Sequence, residues 1–166
     1  MTGVQTCALP IYSPVTPRAS YVEANFSGDK KASVQSLQTV RGRKVTAEVT
    51  IPSDLVERFL RTSCSQMVNY SRMATMGGIL SGTLGSQGHY ANGLAALFIA
   101  CGQDAACVSE ASVGVTRFEL TENGGLYASV TLPNLIVGTV GGGTHLPSQQ
   151  ACLGILHLAG AGHARA

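Results

Sequence analysis

HYANGLAALFIACGQDAACVSE, residues 89–110, decides how the rest of this chain is read. Its spacing predicts about six helical turns with apolar residues on nearly every face, and a helix of that kind belongs in an interior. The apolar middle, residues 94–101, is far short of the roughly 20 residues that cross a bilayer, so it reads as the spine of a soluble core. Asp104 sets a carboxylate in this stretch. A buried, unpaired carboxylate is costly, so Asp104 needs either a partner from elsewhere in the fold or a chemical task. The alternative is a solvent-facing Asp at a kink after Gly102, and spacing alone leaves both open.

Composition narrows the function classes. The chain has 166 residues, enough for one domain or part of one, and 45% of them are apolar, enough for a sizeable core. A charged fraction of 12% and a net charge of +2 argue against nucleic-acid and membrane-surface partners, which call for a concentrated basic face. Small molecules and other subunits are the partners this composition suits. The cysteines at positions 7, 64, 101, 107 and 152 lack C-x-x-C spacing and are odd in number, which argues against a disulfide framework or zinc and for a cytoplasmic home. The histidines suggest no metal site either, and the early apolar patch lacks the basic flank of a signal peptide.

Working outward, residues 1–20 carry Pro10, Pro14 and Pro17 without periodicity and read as an irregular leader whose native origin is open. Residues 21–31 start as a short strand and turn at Ser27-Gly28-Asp29 to present Lys30 and Lys31 on a loop. In residues 44–51, Val45, Ala47, Val49 and Ile51 alternate with polar residues, predicting a half-buried strand. Ser53 is placed to cap a helix over residues 54–64 with a stripe of Leu55, Val56, Phe59 and Leu60, supported by Asp54/Arg58 and Glu57/Arg61 pairs. Residues 66–88, rich in Gly, Ser, Met and Thr, read as close approaches and tight turns. Beyond the spine, strands over 113–120 and 126–132 flank an Asn123-Gly124 hairpin turn, with Leu126, Ala128, Val130 and Leu132 facing the core. Pro133 should break the second strand, and a helix is expected around residues 147–158. Residues 159–166 carry no stop signal of a finished domain and read as a truncated or aberrant end.

Chemistry has two candidate locations on pattern. Residues 138–144, GTVGGGT, form a glycine run between an apolar strand and a helix, the arrangement by which backbone N–H groups cradle phosphates, although a plain tight turn fits equally. The run is neither a Walker loop nor a Rossmann fingerprint. On the spine, Asn92 and Gln103 are eleven residues apart and would share a stripe, with Asp104 about 100° round.

Four strings in order, GDKK (28–31), HYANGLAALFIACGQDAA (89–106), LPNLIVGTVGGGT (132–144) and LPSQQACL (146–153), resemble the catalytic domain of 3-hydroxy-3-methylglutaryl-coenzyme A (HMG-CoA) reductases over about residues 21–156. The chain is similar to soluble bacterial members of the class shared with eukaryotes and archaea. The resemblance implies an α+β fold: a large substrate domain, here residues 32–158, built round a long central helix. A ferredoxin-like cofactor domain is inserted into it and mostly missing here, and residues 21–31 form the joining loop. It implies two hydride transfers from NADPH to HMG-CoA, giving mevalonate and coenzyme A, at sites shared across a homodimer. Lys30 corresponds to the catalytic lysine and Asp104 to the aspartate of its charge network. Asn25, Lys31, Arg72 and Asn92 fall at substrate contacts, and Gly138, Thr139, Val140, Gly141, Gly142, Gly143 and Thr144 at a cofactor contact. The family's catalytic glutamate, its DAMGMN-type motif and its catalytic histidine have no match here, so the expectation is an internal fragment, inactive alone, of an active parent. Competing readings are another nucleotide-dependent reductase and an inactive piece that binds only a partner subunit.

Overall fold

The computed structural model describes residues 32–38, 41–86, 88 and 90–163. Lys30, Lys31 and Asn25, with the expected leader and joining loop, lie outside these residues.

The hairpin forms as its alternation predicts. β3 (Gly114–Leu120) and β4 (Leu126–Leu135) pair antiparallel, with Gly124 at a positive φ in the turn between them. β1 (Arg43–Ile51) pairs antiparallel with the other edge of β4, and the two-residue β2 (Gly85–Ser86) runs parallel to β3. The sheet order is therefore β1-β4-β3-β2. Gly85 and Gly114 meet across that last pair, and a Cβ on Gly85 would lie 2.1 Å from the Gly114 carbonyl oxygen, so no side chain fits there. The register sets Val45, Ala47, Val49 and Ile51 on the same face as Val130, Ala128 and Leu126. The opposite face is polar, with Thr46 bonded to Thr131 and the Tyr127 hydroxyl donating to Glu48.

Two expectations about strands need correction. β1 is not half-buried: it lies on the sheet edge and is exposed along nearly its whole length, with Ile51 at its end packing into the core. Pro133 does not end β4, which continues to Leu135. The β1–β4 register slips between Arg43 and Val45, opposite Pro133, so a bulge sits where the proline lacks its N–H.

The helices depart further from expectation. After a short turn α1 (Val34–Leu37) and β1, the segment expected to be a helix to residue 64 is one turn, α2 (Ser53–Leu55), continued by a π-turn (Val56–Leu60). It stops at Arg61, which is left-handed. The expected Asp54/Arg58 and Glu57/Arg61 ion pairs are not among those the described residues form. Ser63 then opens α3 (Cys64–Ser81) with a capping box: its hydroxyl accepts from the Gln66 N–H and its N–H donates to the Gln66 side chain. Residues expected to turn and loop are thus an 18-residue helix.

The long central helix is also corrected. α4 covers Tyr90–Ala100, 11 residues, followed by a kink, a 3-10 turn (Ala105–Cys107) and the single turn α5 (Val108–Ala111). It ends in a Schellman motif: the Gly102 N–H bonds to Ile99 O, the Gln103 N–H bonds to Phe98 O, and Gly102 has φ +68°. Nor is α4 buried all round. Leu94, Phe98 and Cys101 form its buried stripe, whereas Leu97 and Ile99 are exposed. α6 (Pro147–Ile155) starts with proline at its first position, as expected.

Two clusters make the core. Val56, Cys64, Val68 and Leu126 pack beneath the start of α3, with Ile51, Met67 and Phe118 against them. Leu94, Phe98, Cys107 and Ala111 pack where α4 and α5 meet the end of β4. Cys64, Cys101, Cys107 and Cys152 are free thiols. No described helix is long and apolar enough to cross a membrane.

Candidate functional site

The kink after α4 is where site residues gather. Because α4 ends on a left-handed glycine, the chain doubles back against residues 138–144, which leave β4 in the same region. The Gln103 side chain pairs with both backbone groups of Gly138: Oε1 accepts its N–H at 2.8 Å and Nε2 donates to its carbonyl at 2.9 Å. Nε2 also donates to Cys101 O at 2.7 Å. Five residues further along the loop, the Gly143 N–H bonds to Gly102 O at 3.2 Å. A Cβ on Gly102 would lie 2.5 Å from the Gly143 carbonyl carbon, so the two backbones approach as only glycine permits.

Asp104 follows directly. It is exposed, and its Oδ1 accepts the Ala106 N–H at 3.0 Å as cap of the 3-10 turn. Asp104 therefore sits exposed at the kink after Gly102, and its interactions extend beyond this cap. Gln103 leaves the α4 stripe for the same reason, so it does not share a helix face with Asn92.

The glycine run partly answers the cradle expectation. Gly141 and Gly142 have positive φ, and Gly138, Gly141 and Gly142 are exposed with nothing within 4 Å of a Cβ on Gly141, so a ligand can reach the backbone there. However, the N–H groups of Gly138, Gly143 and Thr144 are already engaged by Gln103, Gly102 and Gly141. Thr144 is buried and its hydroxyl donates to Gly141 O, closing the turn before α6. Thr139 donates to Gly160 O. Val140 is exposed.

Arg72 and Asn92 lie exposed on α3 and α4, and no described contact brings either to Asp104 or the glycine run. Between those helices, over Phe118, Val130 and Leu132 of the sheet, is a largely apolar cavity of about 570 Å³. Tyr90 and Thr116 bond at its wall, and burial raises the tyrosine's pKa more than that bond lowers it.

A charged cluster next to the kink gave no signal in the sequence reading. Glu110, 3% exposed, accepts from the Arg41 guanidinium through both carboxylate oxygens and from the Asn134 amide. Asn134 Oδ1 in turn accepts the Gly42 N–H at 2.7 Å. Arg41 and Glu110 are 69 positions apart, beyond the reach of any local pattern. Cys107 lies beside them, its thiol pKa raised first by burial and then by the Asp104 and Glu110 charges, with Arg41 opposing. Burial, then the neighbouring Cys152, also raises Cys101.

The family model described as hydroxymethylglutaryl-coenzyme A reductase matches residues 7–166, and the chain belongs to that family. It is 45% identical over 142 residues to the 3-hydroxy-3-methylglutaryl-coenzyme A reductase of Halobacterium salinarum, covering 85% of this chain and 35% of that one. Against the Pyrococcus abyssi enzyme of that name the identity is 39% over 143 residues, again 85% of this chain and 35% of the relative. The reductase 2 of Gossypium hirsutum is also 39% identical over 143 residues, covering 84% of this chain and 23% of its own. The chain thus spans about a third of the length of the archaeal relatives.

Proposed function

We propose that the full-length protein containing this chain reduces HMG-CoA to mevalonate and coenzyme A. The observation that carries this reading is the family match over residues 7–166, and the tethering of the Asp104 turn to the glycine run supports it. NADPH, when bound, supplies two hydrides. The exposed, side-chain-free backbone at Gly138, Gly141 and Gly142 suits contact with such a cofactor, and the loop's remaining residues, Thr139, Val140, Gly143 and Thr144, set its shape. Lys30 is assigned to stabilise the negative charge that each transfer leaves on the substrate oxygen. Asp104 is assigned to keep Lys30 protonated and oriented. Asn25, Lys31, Arg72 and Asn92 are assigned to the hydroxymethylglutaryl group.

These residues form part of the substrate-binding domain, which works in the cytoplasm as a homo-oligomer with the site shared between subunits. Exposed Met73, Leu80 and Ile99 on α3 and α4 offer apolar surface for contact between subunits.

Steady-state kinetics of the full-length protein test the reading. Lys30→Ala should lower turnover by about a thousandfold or more with modest change in substrate KM, because a charge aimed at a developing oxyanion acts mainly in the transition state. Unchanged turnover would remove Lys30 from the mechanism. A full-length protein without NADPH-dependent turnover would leave a binding role in its place.

A further inference from the structure

We propose that Gln103 is a positioning residue that keeps the glycine run in register with the Asp104 turn. The inference rests on the assignments above, that the run contacts the cofactor and that Asp104 serves Lys30. Its basis is geometric. The Gln103 carboxamide engages both the N–H and the carbonyl of Gly138, a residue 35 positions away, at 2.8 and 2.9 Å. Its remaining donor capacity goes to Cys101 O, across the helix end, which fixes the side chain's orientation. Only a group with a donor and an acceptor side by side can make this pattern.

The neighbouring residue grips the other end of the loop. Gly102 O accepts the Gly143 N–H, and the contact is too close for any side chain at Gly102. Gly138 and Gly143 are thereby held by consecutive residues, 103 and 102, and Asp104 is the next residue along. Sliding the loop past the helix end would break the Gln103 pair and pull on the peptide that carries Asp104. The two assigned functions, cofactor contact and lysine orientation, are joined through one amide side chain.

The residue is partly exposed, so substitution leaves both core clusters intact. In the full-length protein, Gln103→Met, of similar length but without hydrogen-bonding capacity, should raise amide hydrogen exchange at Gly138 about tenfold, the scale expected for loss of one net hydrogen bond. KM for NADPH should rise by a similar factor while KM for HMG-CoA stays within about twofold. Gln103→Glu can still accept from the Gly138 N–H but cannot donate to the two carbonyls, and should fall between wild type and Gln103→Met. Wild-type exchange and wild-type KM for NADPH in Gln103→Met would overturn the proposal. So would equal rises in both KM values, the mark of a general structural defect. Asp104→Asn separates the two levels: full turnover in that variant overturns the assignment of the site, whereas lost turnover beside an indifferent Gln103→Met overturns this inference alone.

Discussion

α3 and α4 lie beside each other over the sheet and are built on opposite principles. α4 buries large apolar residues, Leu94 and Phe98, on a stripe with four-residue spacing that hydrophobic periodicity detects. α3 turns Cys64, Met67, Val68, Ser71, Ala74, Thr75 and Gly78 inward, so that past its first two turns its inner face is small and polar. Its outer face carries Met73, 75% exposed, and Leu80, 82% exposed. The small inner residues let the helix end approach β2, where the Thr75 and Ser86 hydroxyls bond at 2.7 Å. One helix is held by what it buries. The other is held by its capping box, its first two turns and close backbone approach.

That contrast can be broken at three points, in falling order of effect. Phe98→Ala should destabilise the chain by about 3–5 kcal/mol, since it removes the largest side chain of the second cluster and the neighbours refill the space only in part. Thermal unfolding followed by circular dichroism measures it, and a loss below about 1 kcal/mol would mean that α4 is not held by that stripe. Ser63→Ala should cost about 1 kcal/mol by leaving the Gln66 N–H without its cap. A neutral result in the same melts would shift the weight of α3 onto Val68 and Cys64. Leu80→Lys should change stability by no more than about 0.5 kcal/mol, as an exposed position away from packing does, while reducing self-association in size-exclusion chromatography. A loss comparable to that of Phe98→Ala would show that the outer face of α3 is covered within the chain.

Legibility in the sequence follows the same division. β3, β4, their turn and α6 were readable because each rests on local signals: period-two alternation, Asn-Gly, and proline at a first helical position. α3 was missed because Gly77, Gly78 and its serines and threonines score as loop residues, and the Ser63-x-x-Gln66 start signal was passed over. The end of α4 was equally available, since Gly102 follows the last residue of the stripe, but the apolar residues beyond it suggested continuation.

The site divides likewise. Motif order singled out Asp104 and the glycine run and brought the family within reach of the sequence, and the family match agrees on the family. Asn92 could be placed on a helix, but its expected angle to Asp104 is lost at the kink, and Arg72 fell in a stretch read as turns although it lies on α3. Gln103 stood out only as a helix-face residue, and Arg41, Glu110 and Asn134 not at all, because hydrogen bonds across 35 or 69 positions leave no periodic trace.

By itself the sequence determined the strand faces, the hairpin and the family, because alternation, turn chemistry and motif order are properties of neighbours along the chain. Tertiary structure alone decided that Asp104 sits exposed at a kink, that Gln103 and Gly102 grip the glycine run at two points, and that a buried Glu110 holds Arg41. Each of these depends on which distant backbone or charge fills the space beside a residue, and that is settled only when the helices pack on the sheet.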